Sequence, residues 1–329
     1  MPPPGFIDLH THGGGGAAHE DGPDAIRAAR RFHLGHGTTR AVVSLVTAPL
    51  DRIAERAAVV ADLTGSEPTV LGAHLEGPFL APDHKGAHDG AQLRHPDADS
   101  VARLLDAGRG TVRQVTLAPE LPGGLDAVRA VVAAGAVAAV GHTGADLDRT
   151  AAAFAAGATL LTHAFNAMPG LHHRAPGPVG AATLDPRVTL ELVVDGLHVH
   201  AEVVRIAFAA APGRIALVTD AMAAAGQPDG RYEIGSLAVD VVGGAARLTR
   251  GGAIAGSTLT QDAALRRTVA AGVRLGDAVA ALTTTPARVL GRDDLGALEP
   301  DRLADAVLLT GDFEVRGVWL GGQRVETEE

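Results

Sequence analysis

The sequence lacks cysteine and long apolar runs, and each shortage excludes a class of protein. Without cysteine, the 329 residues can form no disulfide, no thiolate metal site and no cysteine nucleophile. The longest apolar run, residues 130–140, has 11 residues, whereas a helix that crosses a bilayer needs about 20. The N-terminus has neither the basic nor the apolar segment of a signal peptide, which predicts a cytoplasmic protein.

Lysine is also scarce, and acidic residues outnumber basic ones by 38 to 28. Lys85 is the single lysine, so a mechanism that needs a buried lysine has one candidate. The formal net charge of −10 argues against a nucleic acid or an anionic membrane as a general partner. Histidine is plentiful, because 15 histidines stand in an aromatic-poor chain, and these are enough for a metal site.

Apolar segments alternate with Ala/Arg-rich stretches of helical length through the first two-thirds of the chain. Eight strands are predicted, at residues 6–10, 40–46, 69–76, 112–117, 137–142, 159–163, 188–194 and 214–219. Helices are predicted between most of them, for example at residues 23–34, 50–63, 125–134 and 146–156. This alternation indicates a parallel sheet covered on both faces. Eight strands favour a closed (β/α)8 barrel, with a doubly wound open sheet as the alternative.

The pattern changes after the eighth strand. Residues 232–242 and 246–249 predict a hairpin that turns at Gly243 and Gly244. Two further helices are predicted, at residues 260–271 and 275–290.

The C-terminal tail is predicted to be β structure again. Residues 304–309 and 315–325 resemble strands, with a turn at Gly321 and Gly322. They are too few to form a stable sheet alone, and no partner strand is evident before residue 5. We therefore divide the chain into a barrel over residues 5–295 and the C-terminal strands of a small β domain over residues 296–329.

Ionisable side chains end several of the predicted strands. Active sites of such barrels are built on the carboxyl rim, from the ends of different strands. The rim residues are His10, His12, Glu76, His142, His163 and Asp220. The i, i+2 spacing of His10 and His12 directs both imidazoles to one face of an extended segment.

Glu76, His142 and His163 together predict a site for a divalent cation. A buried carboxylate needs a cation or a proton, and a carboxylate with two imidazoles suits a metal such as zinc. Taken singly, each histidine could equally be a hydrogen-bonded rim residue. Asp220 is interpreted as a general base beside the metal, which takes a proton from the attacking water and returns it to the leaving group. The alternative for Asp220 is a helix N-cap.

The remaining basic residues and histidines are predicted to lie in loops, in helices or within a strand. Two loops offer the positive charge that an anionic substrate needs, in Lys85, His88, His172, His173 and Arg174, although all could be solvated. His74 shares the face of Glu76 and either supports it or forms a hydrogen bond in the core. The remaining histidines are predicted to be solvated, namely His19, His33, His36, His84, His95 and His200.

Eight motifs occur in order along the chain. They are FIDLHTHG at 6–13, HLEGPF at 74–79, KGAH at 85–88, GHT at 141–143, THAFNAMP at 162–169, RAPG at 174–177, DGLH at 195–198 and TDA at 219–221. In this order they resemble the N-acetylglucosamine-6-phosphate deacetylases, a branch of the amidohydrolase superfamily. The resemblance covers essentially the whole chain.

The resemblance implies a role for each rim residue. Glu76, His142 and His163 would hold the hydrolytic metal, usually zinc or iron. His10 and His12 would bind a second ion, with Glu76 bridging the two, so one or two ions are expected per subunit. Asp220 would be the catalytic base and then the acid.

The resemblance also implies a sugar-phosphate substrate and a homodimer. His88 would orient the N-acetyl sugar, Asn166 and Ala167 would donate hydrogen bonds to the phosphate, and Arg174 would pair with that phosphate from the neighbouring subunit. His198 would bind the sugar or phosphate end. The remaining pocket residues implied are Ala87, Ile254, Ala255 and Gly256.

The sequence departs from the family pattern at two places. Family members carry several strands before the first barrel strand, whereas this sequence begins next to it, which predicts a small, truncated β-sandwich without N-terminal strands. Ala175 stands where an acidic residue is common. In addition, Lys85 lies in the 82–90 loop, which disfavours the carbamylated lysine that bridges two metals in dihydroorotases and hydantoinases.

The predicted reaction is removal of acetate from N-acetylglucosamine-6-phosphate. A related N-acyl amino-sugar phosphate, such as the galactosamine epimer, is the alternative substrate. A catalytically silent sugar-phosphate-binding protein is the alternative from another class.

Overall fold

The computed structural model describes residues 2–326, and its centre is an eight-stranded parallel sheet. The strands follow one another around the sheet in chain order: β1 (Phe6–Thr11), β2 (Thr38–Val46), β3 (Val70–Glu76), β4 (Val112–Leu117), β5 (Val137–Val140), β6 (Leu160–Leu161), β7 (Thr189–Leu192) and β8 (Ile215–Leu217). A parallel bridge between Thr11 and Ala221 closes the sheet at its carboxyl edge. The predicted (β/α)8 barrel is confirmed.

Helices surround the barrel and bury its outer face. They are α1 (Pro23–Gly35), α2 (Leu50–Thr64), α3 (Ala98–Ala107), α4 (Gly124–Ala133), α5 (Leu147–Ala155), α6 (Gly177–Leu184), α7 (Ala201–Ala210), α8 (Gln261–Ala270), α9 (Leu275–Ala280) and α10 (Thr284–Val289). The side chains of Asp97 and Asp146 cap α3 and α5 by accepting hydrogen bonds from backbone N–H groups of the first turn. Strands β1, β2 and β3 are buried along their whole length, as expected for strands covered on both faces.

The excursion after β8 contains the predicted hairpin, which turns at Gly243 and Gly244, and has one further strand before it. It is a three-stranded antiparallel sheet of β9 (Gly230–Ile234), β10 (Leu237–Val242) and β11 (Ala245–Leu248). The prediction of a continuous strand at 232–242 is wrong because the chain turns at Gly235, whose φ of 57° lies in the region that favours glycine.

The predicted helix at 275–290 is also wrong, since α9 and α10 are separate helices. The carbonyl groups of Ala281 and Leu282, between the two helices, accept hydrogen bonds from the N–H groups of Leu217 and Ile7 at 2.9 and 2.8 Å. Pro286 has no N–H with which to continue a helical ladder through this segment. The break between α9 and α10 therefore frees two carbonyl groups to form hydrogen bonds with β8 and β1.

The C-terminal strands form a second, small antiparallel sheet. It consists of β12 (Ala306–Leu309), β13 (Val315–Leu320) and β14 (Gln323–Arg324). The chain turns between β13 and β14 at Gly321 and Gly322, where the sequence predicted a turn. Pro4 forms an antiparallel bridge with Ala306, which supplies a partner that the sequence did not reveal. The division of the chain at residue 295 stays a prediction, and residues 327–329 of that predicted domain lie outside the described residues.

A buried ion pair anchors the small sheet to the barrel. Arg40 in β2 donates from Nε and Nη2 to the two carboxylate oxygens of Asp305, at 2.7 and 3.1 Å, and both side chains are buried. The N–H of Gly321 also donates to Asp305, at 2.7 Å. Asp305 therefore joins the barrel to the turn between β13 and β14.

We expect Asp305→Ala to lower the free energy of unfolding by about 3–5 kcal/mol, because it leaves the buried Arg40 charge without its partner. Urea denaturation measures this change. Glu314→Ala is the control, since it removes an exposed pair with Arg316, and exposed pairs contribute little. Equal losses in the two variants would contradict the anchoring role of Asp305.

Two of the histidines predicted to be solvated are buried. The Nε2 atom of His33 donates to the Gly13 carbonyl at 2.8 Å, and burial lowers its pKa to about 3. Residues Ile26, Ala29, Arg30 and His33 share the buried face of α1, and their helical spacing was a signal for this burial. His19, which follows the first strand, is buried as well.

No helix within residues 2–326 has both the length and the apolar character needed to cross a membrane.

Candidate active site

The six rim residues predicted from the sequence meet at the carboxyl edge of the barrel. His10 lies in β1 and Glu76 is the last residue of β3, whereas the other four follow the ends of their strands. The backbones of His142, His163 and Asp220 have φ values of 47°, 26° and 50°, a region that non-glycine residues rarely adopt. Such conformations concentrate at functional sites, where the surrounding structure holds them in place.

The Glu76 carboxylate lies at the centre of this cluster. Five imidazole Nε2 atoms lie 3.1–3.3 Å from its oxygens, namely those of His10, His12, His88, His142 and His163. The Glu76 side chain is 4% exposed. It is therefore a buried acceptor surrounded by nitrogen ligands.

The cluster contains two groups that can each hold a metal ion. In the Glu76 group, formed by Glu76, His142 and His163, the ligand atoms lie within 4.8 Å of one another. The same holds for the Asp220 group, formed by His10, His12 and Asp220. The two Nε2 atoms are 3.0 Å apart in the first group and 3.1 Å apart in the second.

The hydrogen bonds of His142 test whether the Glu76 group fits a cation. Its Nδ1 lies 2.8 Å from the His84 carbonyl, which can only accept, so the neutral ring has its lone pair on Nε2. That lone pair faces the Glu76 oxygen at 3.2 Å. Bonds of about 2.0–2.1 Å to a tetrahedral zinc ion place neighbouring ligand atoms about 3.3 Å apart. The Glu76 group therefore fits a divalent cation.

Burial and charge shift the pKa values of the cluster in opposite directions. Burial lowers the pKa of His142 to about 4, against the effect of its hydrogen bond to Glu76. Burial also opposes protonation of His12, but hydrogen bonds to Asp220 and Glu76 outweigh it and raise the pKa of His12 to about 9. For Glu76 and Asp220, burial is outweighed by the charge of the imidazoles, with His10 foremost, so both pKa values fall well below the usual range. Both carboxylates are thus ionised and need positive charge beside them.

Two acidic residues below the rim, which sequence reasoning missed, orient this cluster. The Asp8 carboxylate accepts from the hydroxyl of Thr219 at 2.6 Å and from the N–H of His10 at 3.1 Å, which joins β1 to the end of β8. Glu191 in β7 accepts from Nδ1 of His10 at 3.2 Å. A charged residue inside an otherwise apolar strand was the available signal for both.

His74 forms hydrogen bonds within the core, as one of its two interpretations predicted. Its Nδ1 lies 2.9 Å from the Ser44 hydroxyl and its Nε2 lies 2.8 Å from the Thr116 hydroxyl. Its ring also contacts His10 edge-on, with centroids 4.5 Å apart. His74 therefore packs beneath the cluster, and its nitrogens are already engaged.

A cavity of about 300 Å³ opens above the cluster. The predicted substrate residues that line it are Ala87, His88, Asn166, Ala167, His198, Ile254 and Gly256. Ala255 lies in the buried apolar cluster with Val46 and Met222 instead. Sequence reasoning missed the lining residues Asp83, His84, Gly86, Ile234 and Ala253.

Of the basic loop residues predicted to face an anionic substrate, only His88 lines the cavity. Lys85 donates from Nζ to the His88 carbonyl at 3.3 Å and so supports the loop that carries His88. His172, His173 and Arg174 are exposed. Within residues 2–326 of one chain, no arginine or lysine lines the cavity. His198, at the cavity wall, is held through Nδ1 by the Asp195 carboxylate at 2.7 Å.

A closed parallel barrel with two histidine–carboxylate groups on its carboxyl rim is the arrangement of a metal-dependent barrel hydrolase. The amidohydrolase family matches this sequence over residues 3–325. The chain belongs to the amidohydrolase family.

Within that family, the chain is similar to deacetylases of amino-sugar phosphates. The N-acetylgalactosamine-6-phosphate deacetylase of Escherichia coli O157:H7 is 40% identical over 326 residues, which cover 97% of this chain and 86% of that protein. The N-acetylglucosamine-6-phosphate deacetylase of Vibrio furnissii is 37% identical over 330 residues, covering 98% and 82%.

A solved structure has the same overall fold. An aspartate-to-alanine variant of the N-acetyl-D-glucosamine-6-phosphate deacetylase of Mycobacterium smegmatis, in complex with N-acetyl-D-glucosamine-6-phosphate, superposes with a TM-score of 0.94. Its sequence is 43% identical, and the match covers 98% of this chain and 86% of that chain.

Proposed function

We propose that this protein is a metal-dependent hydrolase that removes acetate from N-acetylglucosamine-6-phosphate and leaves glucosamine-6-phosphate. The convergence of the Glu76 group and Asp220 below a cavity of about 300 Å³ carries this proposal. The substrate class comes from the relatives, which are 36–40% identical across nearly the whole chain and are named as deacetylases of N-acetyl amino-sugar phosphates.

The residues present fit one or two divalent ions. Glu76, His142 and His163 would hold the first ion, and His10 and His12 the second, beside Asp220. When bound, a divalent ion polarises the amide carbonyl and lowers the pKa of water toward neutrality. Imidazole and carboxylate ligands suit zinc and iron alike, so we propose one of these two metals.

Asp220 would move the proton. Its carboxylate borders the cavity and is ionised, so it can accept a proton from the attacking water. Nitrogen must be protonated before it leaves as an amine, and Asp220 would return the proton to it. The Nε2 atoms of His12 and His10 lie 3.3 and 3.5 Å from Oδ1, so a cation bound to these two imidazoles would also hold the carboxylate in place.

The cavity wall would bind the substrate. His88 lies 3.2 Å from Glu76 through Nε2, which places it beside the reacting group, so it would contact the N-acetyl part. Because Asp195 engages Nδ1 of His198, the Nε2 atom remains for the sugar or the phosphate. Asn166 and Ala167 would bind the phosphate, and Ala87 and the 254–256 backbone would close the pocket.

We further propose a homodimer in which Arg174 of one subunit binds the phosphate held by the other. Its position on an exposed loop, outside the lining of its own cavity, supports this assignment. A guanidinium pairs well with phosphate because its planar donors match the phosphate oxygens.

Arg174→Ala should raise KM for the sugar phosphate roughly 10- to 100-fold, because it removes a charge-assisted contact. Co-expression of Arg174→Ala with Asp220→Asn chains tests the contribution across subunits. A mixed dimer then has one intact site, and about a quarter of wild-type activity should return. No recovery, with mixed dimers isolated by two affinity tags, would contradict the proposal.

The galactosamine epimer is the second candidate substrate, because the relative at 40% identity is named for it. Acetate release from both epimers, with the bound metal counted in the same sample, tests the two candidates. Release abolished by a chelator, with the higher kcat/KM for the glucosamine epimer, supports our proposal, whereas the reverse order supports the second candidate. No release from either, at full metal content, would indicate a silent binding protein. The cytoplasmic location stays a prediction.

A further inference from the structure

Glu191 joins the two groups of candidate metal ligands from below. It lies within β7 and is completely buried. Its Oε2 atom accepts from Nδ1 of His10 and from the backbone N–H of His163, both at 3.2 Å. Its Oε1 atom accepts from Nε2 of Gln114 at 3.0 Å. One carboxylate oxygen thus contacts a member of the Asp220 group and a member of the Glu76 group.

We propose that Glu191 is a positioning residue that holds the second cation site by fixing the ring of His10. A carboxylate only accepts hydrogen bonds, so Nδ1 of His10 must donate, and the lone pair of the neutral ring must lie on Nε2. That Nε2 faces Nε2 of His12 at 3.1 Å and Oδ1 of Asp220 at 3.5 Å. The inference rests on the proposed metal site and extends it to a residue outside both groups.

Without an acceptor at Nδ1, the proton of His10 can move to Nε2. A protonated Nε2 would point into the Asp220 group and would have no lone pair for a cation. His12 cannot replace this fixed donor, because within residues 2–326 its own Nδ1 is buried without a hydrogen-bond partner and no acceptor fixes the proton of its ring. The Asp220 group therefore needs His10 to offer a lone pair on Nε2, and Glu191 fixes that state of the ring by accepting from Nδ1.

The charge of Glu191 supports the same role. Within residues 2–326, no arginine or lysine forms an ion pair with it, and His10 is its partner. A buried carboxylate without a cation is unfavourable. A cation bound to the far side of the His10 ring would compensate the charge through the polarised imidazole, as in the carboxylate–histidine–metal arrangements of zinc proteins.

Stepwise Co²⁺ binding tests the proposal on metal-free, full-length protein. Dissociation constants come from titration calorimetry, and visible absorption of Co²⁺ follows each site. We compare Glu191→Leu and Glu191→Gln with a matched control, Gln114→Leu. This control removes the hydrogen bond to Oε1 of Glu191 but leaves the hydrogen bond between Glu191 and His10. Glu191→Leu should weaken the second Co²⁺ by about 10- to 100-fold and change the first by less than about threefold, since His163 loses only a backbone contact.

Glu191→Gln should recover part of the affinity, because its amide oxygen can still accept from Nδ1 of His10. Should Glu191→Leu not fold, judged by circular dichroism, Glu191→Gln carries the test with a loss of roughly threefold to tenfold. Unchanged affinity of the second Co²⁺ in a folded Glu191→Leu protein would overturn the proposal. So would equal losses in Glu191→Leu and Gln114→Leu, or a wild type that binds one Co²⁺. Acetate release is measured separately, so failure of the deacetylase proposal remains distinguishable.

Discussion

Asp220→Asn should lower kcat for acetate release by about 10²- to 10⁴-fold, the contribution typical of a positioned general acid–base group. Asparagine keeps the shape of the side chain and an oxygen that can face His12. It cannot accept a proton, so neither activation of the water nor protonation of the leaving nitrogen can proceed through it. The loss should appear in kcat rather than in KM, because the substrate contacts lie elsewhere on the cavity wall.

Metal analysis on the same samples separates this effect from loss of the cation. At excess metal we expect the metal content of Asp220→Asn to match that of the wild type, because the Glu76 group is unchanged and His10, His12 and the asparagine oxygen remain at the second site. Asp83→Asn is the matched control: it removes the same charge from the wall of the same cavity, and we expect its effect to stay below about tenfold. If Asp220→Asn with full metal keeps activity within tenfold of the wild type, Asp220 is not the base.

The barrel and its rim residues could be predicted from the sequence because both depend on local patterns. Apolar segments separated by helical stretches indicate parallel strands, and parallel strands bring their carboxyl ends to one edge. An ionisable residue at such an end is visible without knowledge of its neighbours. This logic predicted Glu76, His142 and His163, which the structure brings within 3.2 Å of one another.

Asp8 and Glu191 could have been singled out as charged residues within buried strands, but their contacts could not be predicted, because their partners are distant in sequence. Glu191 is 181 residues from His10, and Asp8 is 211 residues from Thr219. In a strand buried on both faces, side-chain alternation does not distinguish the barrel interior from the helix-covered face. Only the closed sheet shows that Glu191 lies under the two ligand groups. The turn at Gly235 was missed for another reason, since an isolated glycine in a strand pattern also fits a bulge.

Glu76→Gln should remove both cations, because five imidazoles share this carboxylate. An amide has one acceptor oxygen, and its NH2 group would face imidazole nitrogens that need to offer lone pairs. We expect metal affinity to fall by more than about 100-fold, above the loss typical of an outer-shell partner. Acetate release should fall by about 10³-fold or more, since the cation supplies several kcal/mol of transition-state stabilisation.

Elemental analysis after dialysis, and acetate release at excess metal, measure the two losses. Glu120→Gln is the matched control, since Glu120 lies at the same edge but accepts from the hydroxyl of Thr143 and the N–H of Gly144. Its metal content should equal that of the wild type. Retention of two ions by Glu76→Gln would show that the histidines and Asp220 suffice to hold them. The shared carboxylate would then serve to orient imidazoles, and Asp220 would become the principal anionic ligand.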